Sequence, residues 1–241
     1  MPEWLLRLKG EKFDLEDLPS LLRLPELSVT EDDGFYYLRS SEFDSLNSPG
    51  EVCERGRALI KLINGAAKLY RDSFQGIAED GVILVEDDGK RHHYFYLEET
   101  LTIRSKTNAK VTVVKSDGTE FEYPIDQPSH LESWLRLAQK QKVVADALHF
   151  YREDSWISLY KVYEIVKEDV GGGDQIANKG WATKSALNRF RHTAQSRAAL
   201  GDYARHAVDK GKPPSQPMSF SEAKSLIRNV LMEWLITKHN P

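Results

Sequence analysis

The strand pattern of this chain ends at a segment bounded by two prolines, residues 124–128. Upstream of it, short runs of β-branched and aromatic residues are separated by Asp-Gly turns at residues 88–89 and 117–118. Glycine after Asp supplies the positive φ that a tight hairpin turn needs, so we predict four or five antiparallel strands in residues 81–123. Downstream, apolar residues recur at the helical period instead. The predicted fold class is therefore α+β.

The upstream part also contains two helical patterns. Residues 5–24 are rich in Leu at near-helical spacing, which predicts a short helix broken by prolines. Residues 51–73 predict a long helix, and the pair Asn64-Gly65 indicates a bend or an end within it, because Gly costs about 1 kcal/mol relative to Ala. We assign residues 1–125 to an acidic N-terminal domain, an antiparallel sheet with helices.

After residue 128 the apolar positions predict four helices. These cover about residues 131–151, 155–170, 183–199 and a last segment from 219 onward. A glycine triplet at residues 171–173 stops the second helix, and Ser219 with Glu222 has the spacing of a capping box. Four helices of this length suit a bundle, so residues 129–241 are predicted to form a C-terminal four-helix bundle.

The overall charge of −4 is unevenly distributed along the chain. Residues 129–241 contain 17 Lys and Arg against 12 Asp and Glu, a net charge of +5, so the remainder carries −9. A basic half of this kind favours an anionic partner. The same asymmetry is also what electrostatic docking of the two halves on each other would require.

Several function classes are excluded by motif and composition. Cys53 is the single cysteine, so neither an intramolecular disulfide nor a Cys-based zinc cage is available. The glycine triplet lacks the Gly-Lys-Ser/Thr of a P-loop, so a flexible connector is the preferred interpretation. We therefore expect no metal and no cofactor. No apolar run reaches the ~18–20 residues of a membrane span and no signal-peptide pattern is found, so we expect a cytoplasmic protein without a membrane segment.

The positive charge of the C-terminal half is concentrated in residues 179–212, where eight basic residues face two acidic ones. His192 and His206 fall in the same stretch. Arginine forks match phosphate oxygens bidentately, so this stretch predicts binding of RNA or another polyanion. The candidate nucleic-acid-binding residues are Lys184, Arg189, Arg191, Arg197, Lys210 and Lys212.

The histidines extend this hypothesis to catalysis. An imidazole can take the 2′-hydroxyl proton of RNA near neutral pH, and a guanidinium can stabilise the developing charge. Metal-free cleavage of RNA needs these groups, and the candidate catalytic residues are Arg205, His206 and His192. Two other interpretations stay open, namely phosphate contact without catalysis and a solvated basic face with structural histidines.

The four-helix pattern, with an Arg/His-rich third helix and following loop, resembles the HEPN superfamily over roughly residues 130–238. That resemblance implies a metal-independent ribonuclease that acts as a homodimer in a bacterial antiviral-defence or toxin system. A β-rich domain that precedes a helical domain is likewise similar to some abortive-infection proteins of that group.

The HEPN catalytic motif is an Arg and a His separated by four to six residues, and this sequence departs from it. The nearest preceding arginines are Arg205 and Arg197 for His206, and Arg191 and Arg189 for His192. We expect a bacterial defence or toxin-system protein that binds RNA. The alternative is a non-enzymatic interaction module, whose acidic N-terminal domain recognises a protein partner while the helical half dimerises or docks.

Overall fold

A computed structural model describes residues 2–94, 113–114, 120–121, 128–206 and 215–239. The chain is mixed α+β, as predicted, with an antiparallel sheet in the N-terminal half and helices in the C-terminal half. The strands are β1 (Glu3–Gly10), β2 (Arg23–Leu24), β3 (Leu27–Asp32), β4 (Phe35–Ser40), β5 (Ile77–Val85), β6 (Arg91–Tyr94), β7 (Val113–Val114) and β8 (Glu120–Phe121). The helices are α1 (Lys12–Leu21), α2 (Pro49–Tyr70), α3 (Pro128–Lys140), α4 (Lys142–Arg152), α5 (Trp156–Asp169), α6 (Gly173–Asn178), α7 (Lys184–Gln195), α8 (Arg197–Leu200) and α9 (Phe220–His239). Short 3-10 helices cover Ser41–Phe43 and Gly201–Tyr203.

Strands β1 to β6 form one antiparallel sheet in the order β2-β3-β4-β1-β5-β6, and β7 pairs with β8 separately. Strand β1 occupies an inner position, where Leu6 pairs with Leu38 of β4 and with Val82 of β5. The hairpin predicted at residues 88–89 is confirmed, because β5 and β6 are antiparallel neighbours on either side of that turn. The other strand predictions fall largely on residues 95–112, 115–119 and 122–127, which lie outside the described residues.

For residues 5–10 the helix prediction is wrong, since they belong to β1. Leu6 and Leu8 are both buried in the core and lie two residues apart, which is the period of a strand. A short Leu-rich run fits the strand and helix periods about equally well, and pairing with a strand on each side decides between them. The helix begins only at Lys12, as α1, and includes Pro19.

Helix α2 does not end at Asn64-Gly65 but continues to Tyr70. The buried Asn64 donates from Nδ2 to the Ile77 carbonyl at 2.8 Å and accepts from the Ile77 amide at 2.9 Å, which attaches the first residue of β5 to the helix. Gly65 allows α4 to approach, since a Cβ there would lie 2.7 Å from the carbonyl oxygen of Leu148. The two residues that weaken the local helical pattern are therefore used for tertiary contacts.

Helix α2 packs between the sheet and the C-terminal helices. It contacts β5 on the sheet side and α3 and α4 on the helical side. One continuous cluster of buried side chains includes Leu6 of β1, Ile63 of α2, Leu148 of α4 and Trp234 of α9. The predicted domain boundary, residues 124–128, lies almost wholly outside the described residues, so the division into two domains stays a prediction.

The C-terminal half is helical, with shorter segments than the four predicted. Extended backbone at Gln141 separates α3 from α4, and Ser196 separates α7 from α8. Gly173 begins α6, so the connector interpretation is wrong for this glycine. The predicted capping box is confirmed, because the Glu222 carboxylate accepts from the Ser219 amide at 2.8 Å and the Glu222 amide donates to the Ser219 hydroxyl at 3.2 Å. Among the described helices, none is long and apolar enough to cross a bilayer.

Candidate functional site

Helices α5 and α7 lie side by side and run in opposite directions. Phe190 of α7 packs between them, with its ring centroid 6.0 Å from that of Tyr160 on α5. Gln195 at the end of α7 donates from Nε2 to the Tyr160 hydroxyl at 2.6 Å. At the opposite end, Lys167 of α5 and Lys184 of α7 line the same cleft. The surface between the two helices, from Tyr160 and Gln195 at one end to Lys167 and Lys184 at the other, is called the α5–α7 groove below.

At the Lys184 end of this groove lies an open cleft of about 240 Å³ between α5, α6 and α7. The residues that line it are Tyr163, Lys167, Gly173, Asp174, Lys184, Leu187, Asn188 and Arg191. Three of these side chains are cations and one is a carboxylate, so the lining carries a net charge of +2. An open, polar and positively charged cleft is suited to an anion with several oxygen acceptors, such as a phosphate.

Two of the three cleft cations have no carboxylate partner within the described part of the chain. The hydrogen bond made by the Arg191 guanidinium goes to Asn188 Oδ1 and is long, at 3.4 Å. Lys167 forms no ion pair among the described residues. The third cation, Lys184, lies 3.0 Å from Asp174, and both side chains are largely exposed. Exposed ion pairs contribute at most about 1 kcal/mol, so an incoming anion can replace this carboxylate at small cost.

Tyr163 forms a wall of the cleft and is buried. A Cβ added to Gly173 would lie 3.0 Å from the Tyr163 hydroxyl, so the glycine lets the start of α6 approach the phenol closely. Burial raises the pKa of Tyr163, and the nearby charge of Arg191 opposes that rise only in part. The phenol is therefore protonated at neutral pH and presents a neutral hydrogen-bonding group beside the cations.

Arg189, one of the predicted phosphate ligands, is used to hold α7 against α9. Its guanidinium lies 3.0 and 3.2 Å from the two carboxylate oxygens of Glu222. It also donates to the carbonyl oxygens of Gln216 at 3.0 Å and Pro217 at 3.1 Å. With these four bonds formed, the guanidinium stabilises the packing of the two helices and lies outside the cleft lining.

The same cluster predicts a pH dependence of stability. The pKa of Glu222 is lowered to about 2, first by the backbone hydrogen bond from Ser219 and then by the Arg189 guanidinium and the Ser219 hydroxyl. A carboxyl whose pKa is lower in the folded than in the unfolded chain stabilises the fold above its unfolded pKa, and this contribution is lost as pH falls. We expect the urea midpoint to fall less between about pH 5 and about pH 3 in Glu222→Gln than in the wild type. Glu233→Gln, on the same helix and outside this cluster, is the control, and an unchanged pH profile in Glu222→Gln would contradict the assignment.

Arg205 borders the α5–α7 groove on the Tyr160 side of the cleft, about one helical turn of α5 away from it. Its amide donates to the Ala194 carbonyl at 2.8 Å, and its guanidinium lies 2.9 Å from the Glu164 carboxylate and 4.3 Å from the centroid of the Tyr160 ring. These contacts attach the loop after α8 to both α5 and α7. Arg205 is therefore a partly exposed cation at the edge of the groove, beyond the cleft lining.

The remaining predicted site residues are not brought together by the described contacts. His192 is exposed on α7 and His206 is half-buried beyond Arg205, and no described hydrogen bond or ion pair joins either ring to the other or to Arg205. Arg197 forms an exposed ion pair with Asp202 at 3.1 Å. The catalytic grouping of Arg205, His206 and His192 stays a prediction. Lys210 and Lys212 lie outside the described residues.

Six of the eight cleft residues are absent from the predicted site, and three of these six, Lys167, Tyr163 and Asn188, have side chains that can donate a hydrogen bond to an anion. The sequence did not indicate Lys167, because the basic stretch was defined along the chain from residue 179 and this lysine lies earlier, on α5. The local signal that could have indicated it is the i, i+4 spacing of Tyr163 and Lys167, which places the lysine beside the buried face of α5. Asn188 lies three positions before Arg191 on α7, so the two side chains are neighbours on the same face of that helix.

Within the described ranges, no three His, Cys, Asp or Glu side chains are grouped as a metal site would require. A scan against models of protein families, a search of curated proteins and a search of solved structures returned no match. The resemblance to the HEPN superfamily therefore stays a prediction, and the function of the cleft is inferred from its geometry and charge.

Proposed function

We propose that this protein binds RNA through the cleft between α5, α6 and α7. The observation that supports the proposal is the pair Lys167 and Arg191, two cations that have no carboxylate partner among the described residues and line one open cleft. Phosphate contacts supply much of the affinity of proteins for nucleic acids, independently of base sequence. Three cations within one cleft can contact neighbouring phosphates of a single strand.

The lining residues have different parts in this proposal. The Arg191 guanidinium binds a phosphate through two of its N–H groups, since its bond to Asn188 is long and easily exchanged. Lys167 and Lys184 act as point charges on flexible stems. The protonated phenol of Tyr163 adds a neutral hydrogen-bonding group, which contributes without repelling the anion.

We propose binding rather than cleavage of RNA, in a bacterial defence or toxin system as the HEPN resemblance suggests. Metal-independent cleavage by Arg205, His206 and His192 has weaker support, because Arg205 is already engaged by Glu164 and Tyr160. We expect mixed RNA to stay intact when incubated with the purified protein in the presence of a chelator. Cleavage under these conditions would instead identify a ribonuclease, and Arg205→Ala and His206→Ala would then show which groups it needs. The homodimer and a protein partner for the acidic N-terminal domain stay predictions.

The double variant Lys167→Gln/Arg191→Gln tests the cleft directly. We expect its dissociation constant for a single-stranded RNA to rise at least about tenfold, because two phosphate contacts are lost. The slope of log affinity against log salt should fall by roughly 1.4, since each single-strand phosphate contact contributes about 0.7. Fluorescence anisotropy of a labelled RNA at several salt concentrations measures both quantities.

The matched control is Lys61→Gln/Lys140→Gln, which removes two exposed lysines that lie on α2 and α3, away from the cleft. It lowers the net charge by the same amount and is expected to change affinity less than about twofold. Equal weakening in the two double variants would indicate a diffuse charge effect and would contradict the proposed site. Circular dichroism of the two double variants checks that both are folded.

A further inference from the structure

Tyr203 is the most exposed of the large hydrophobic side chains in the described part of the protein, at 76 %. It is the last residue of the 3-10 helix Gly201–Tyr203, in the loop between α8 and α9. An aromatic ring that is held in water on an ordered loop is typical of a contact surface, and Tyr is among the residues enriched at such surfaces.

The loop that carries Tyr203 is attached to the helices on both sides of the ring. Before it, Asp202 pairs with Arg197 of α8 at 3.1 Å. After it, the Ala204 amide donates to the Gly201 carbonyl at 3.3 Å, and the Arg205 amide donates to α7 at 2.8 Å. The ring is therefore presented by a backbone that is already ordered, so a ligand would not have to order the loop on binding.

The loop lies next to the proposed RNA site. Arg205, two residues after Tyr203, contacts Tyr160 and Glu164 of α5. Tyr163, which adjoins Glu164 in sequence, lines the cleft, and Lys167 follows one turn later. One helical turn is about 5.4 Å, so the loop and the cleft are neighbours along the α5–α7 groove. The partly exposed Arg205 guanidinium adds a positive charge to this loop.

We propose that Tyr203 stacks on a base of a single-stranded RNA whose phosphates occupy the cleft. This inference rests on the proposed function and adds the class of RNA. A positively charged groove next to an exposed aromatic ring is the arrangement by which proteins bind single strands, because unpaired bases offer a free π face. The bases of a duplex are stacked on one another and do not offer it.

Binding of three probes to Tyr203→Ala and Tyr203→Phe tests the proposal. The probes are a single-stranded RNA, the same strand with its bases replaced by abasic sites, and a duplex of the same sequence. We expect Tyr203→Ala to weaken binding of the single strand about fivefold or more, and to change binding of the abasic strand and the duplex less than twofold. Tyr203→Phe keeps the ring and should bind the single strand as the wild type does.

The matched control is Phe13→Ala, which removes an exposed ring of α1 on the N-terminal half and should leave binding of every probe unchanged. Single-strand binding that is unaffected by Tyr203→Ala overturns this inference and leaves the proposed function in place. Equal weakening for all three probes also overturns it, since that indicates an effect on folding rather than the loss of a contact with a base. If the wild type binds none of the probes, both the proposed function and this inference are wrong, and a protein partner for the exposed ring becomes the explanation to pursue.

Discussion

Replacing Trp234 with Ala is expected to lower the free energy of unfolding by about 3–5 kcal/mol. Among the described residues, this side chain of α9 is the largest that is fully buried, and it belongs to the core shared by the sheet and the helices. Its indole N–H also donates to an Asp169 carboxylate oxygen at 2.8 Å, and Lys238 lies 2.7 Å from the other oxygen. The substitution leaves a large cavity and removes one of the two donors to Asp169. Urea unfolding followed by far-UV circular dichroism measures the loss.

Ile236→Ala on the same helix is the control for Trp234→Ala, because Ile236 is 43 % exposed. This substitution should lower the free energy of unfolding by about 1 kcal/mol or less.

Burial raises the pKa of Asp169, but the hydrogen bonds from Lys238 and Trp234 outweigh burial, so that the pKa is lowered in the folded protein. Trp234→Phe keeps most of the ring and removes the N–H donor, so it should cost less than Trp234→Ala and lose less stability on acidification than the wild type. A cost below about 1 kcal/mol for Trp234→Ala would show that this helix is not part of the main core.

The second large effect is expected at Gly65. By helix propensity alone, Gly65→Ala would stabilise α2 by about 1 kcal/mol. The added Cβ would, however, lie 2.7 and 2.9 Å from the carbonyl oxygen and carbon of Leu148, which are backbone atoms of α4 and cannot move without the helix. Overpacking of this kind costs about 1–3 kcal/mol or more, so we expect a net destabilisation of about 2 kcal/mol, measured as a lower urea midpoint.

Ala58→Gly measures the cost of a glycine at an exposed position of α2. This substitution should lower the free energy of unfolding by about 1 kcal/mol. An increase in stability for Gly65→Ala would contradict the close contact of α2 with α4. The experiment also tests how the two halves are joined, because α2 contacts both β5 and the C-terminal helices. If they unfold as one unit, near-UV and far-UV signals of Gly65→Ala will shift by the same amount.

The candidate site shows where charge counting along the sequence is informative and where it is not. The stretch 179–212 contains two of the three cleft cations, Lys184 and Arg191, because a local excess of positive charge tends to remain exposed. Counting charges along the chain could not distinguish these two cleft cations from Arg189, which is paired with Glu222, 33 residues further along the chain. Nor could it include Lys167, which reaches the cleft only through the packing of α5 against α7.

In the fold, too, features that depend on neighbouring residues were predictable and features that depend on distant residues were not. The Asp-Gly hairpin and the Ser219–Glu222 capping box were predictable, since each depends on residues within four positions of one another. The assignment of residues 5–10 failed because a Leu-rich run fits two periods and its strand partners are distant in sequence. The alternative that α2 ends at Asn64-Gly65 was wrong for a related reason. Their contacts with Ile77 and Leu148 outweigh the local preference.

By itself, the sequence determined that a strand-containing acidic half precedes a helical basic half, and that one basic stretch, residues 179–212, lies within the helical half. Periodicity, turn chemistry and net charge are local quantities, so a single chain is enough to establish them. Only the tertiary structure decided which cations are neutralised and which remain open, because ion pairs such as Arg189–Glu222 and Arg205–Glu164 join different helices. It also decided that α2 packs against both halves, since the close approach at Gly65 depends on a neighbour that the local sequence does not reveal.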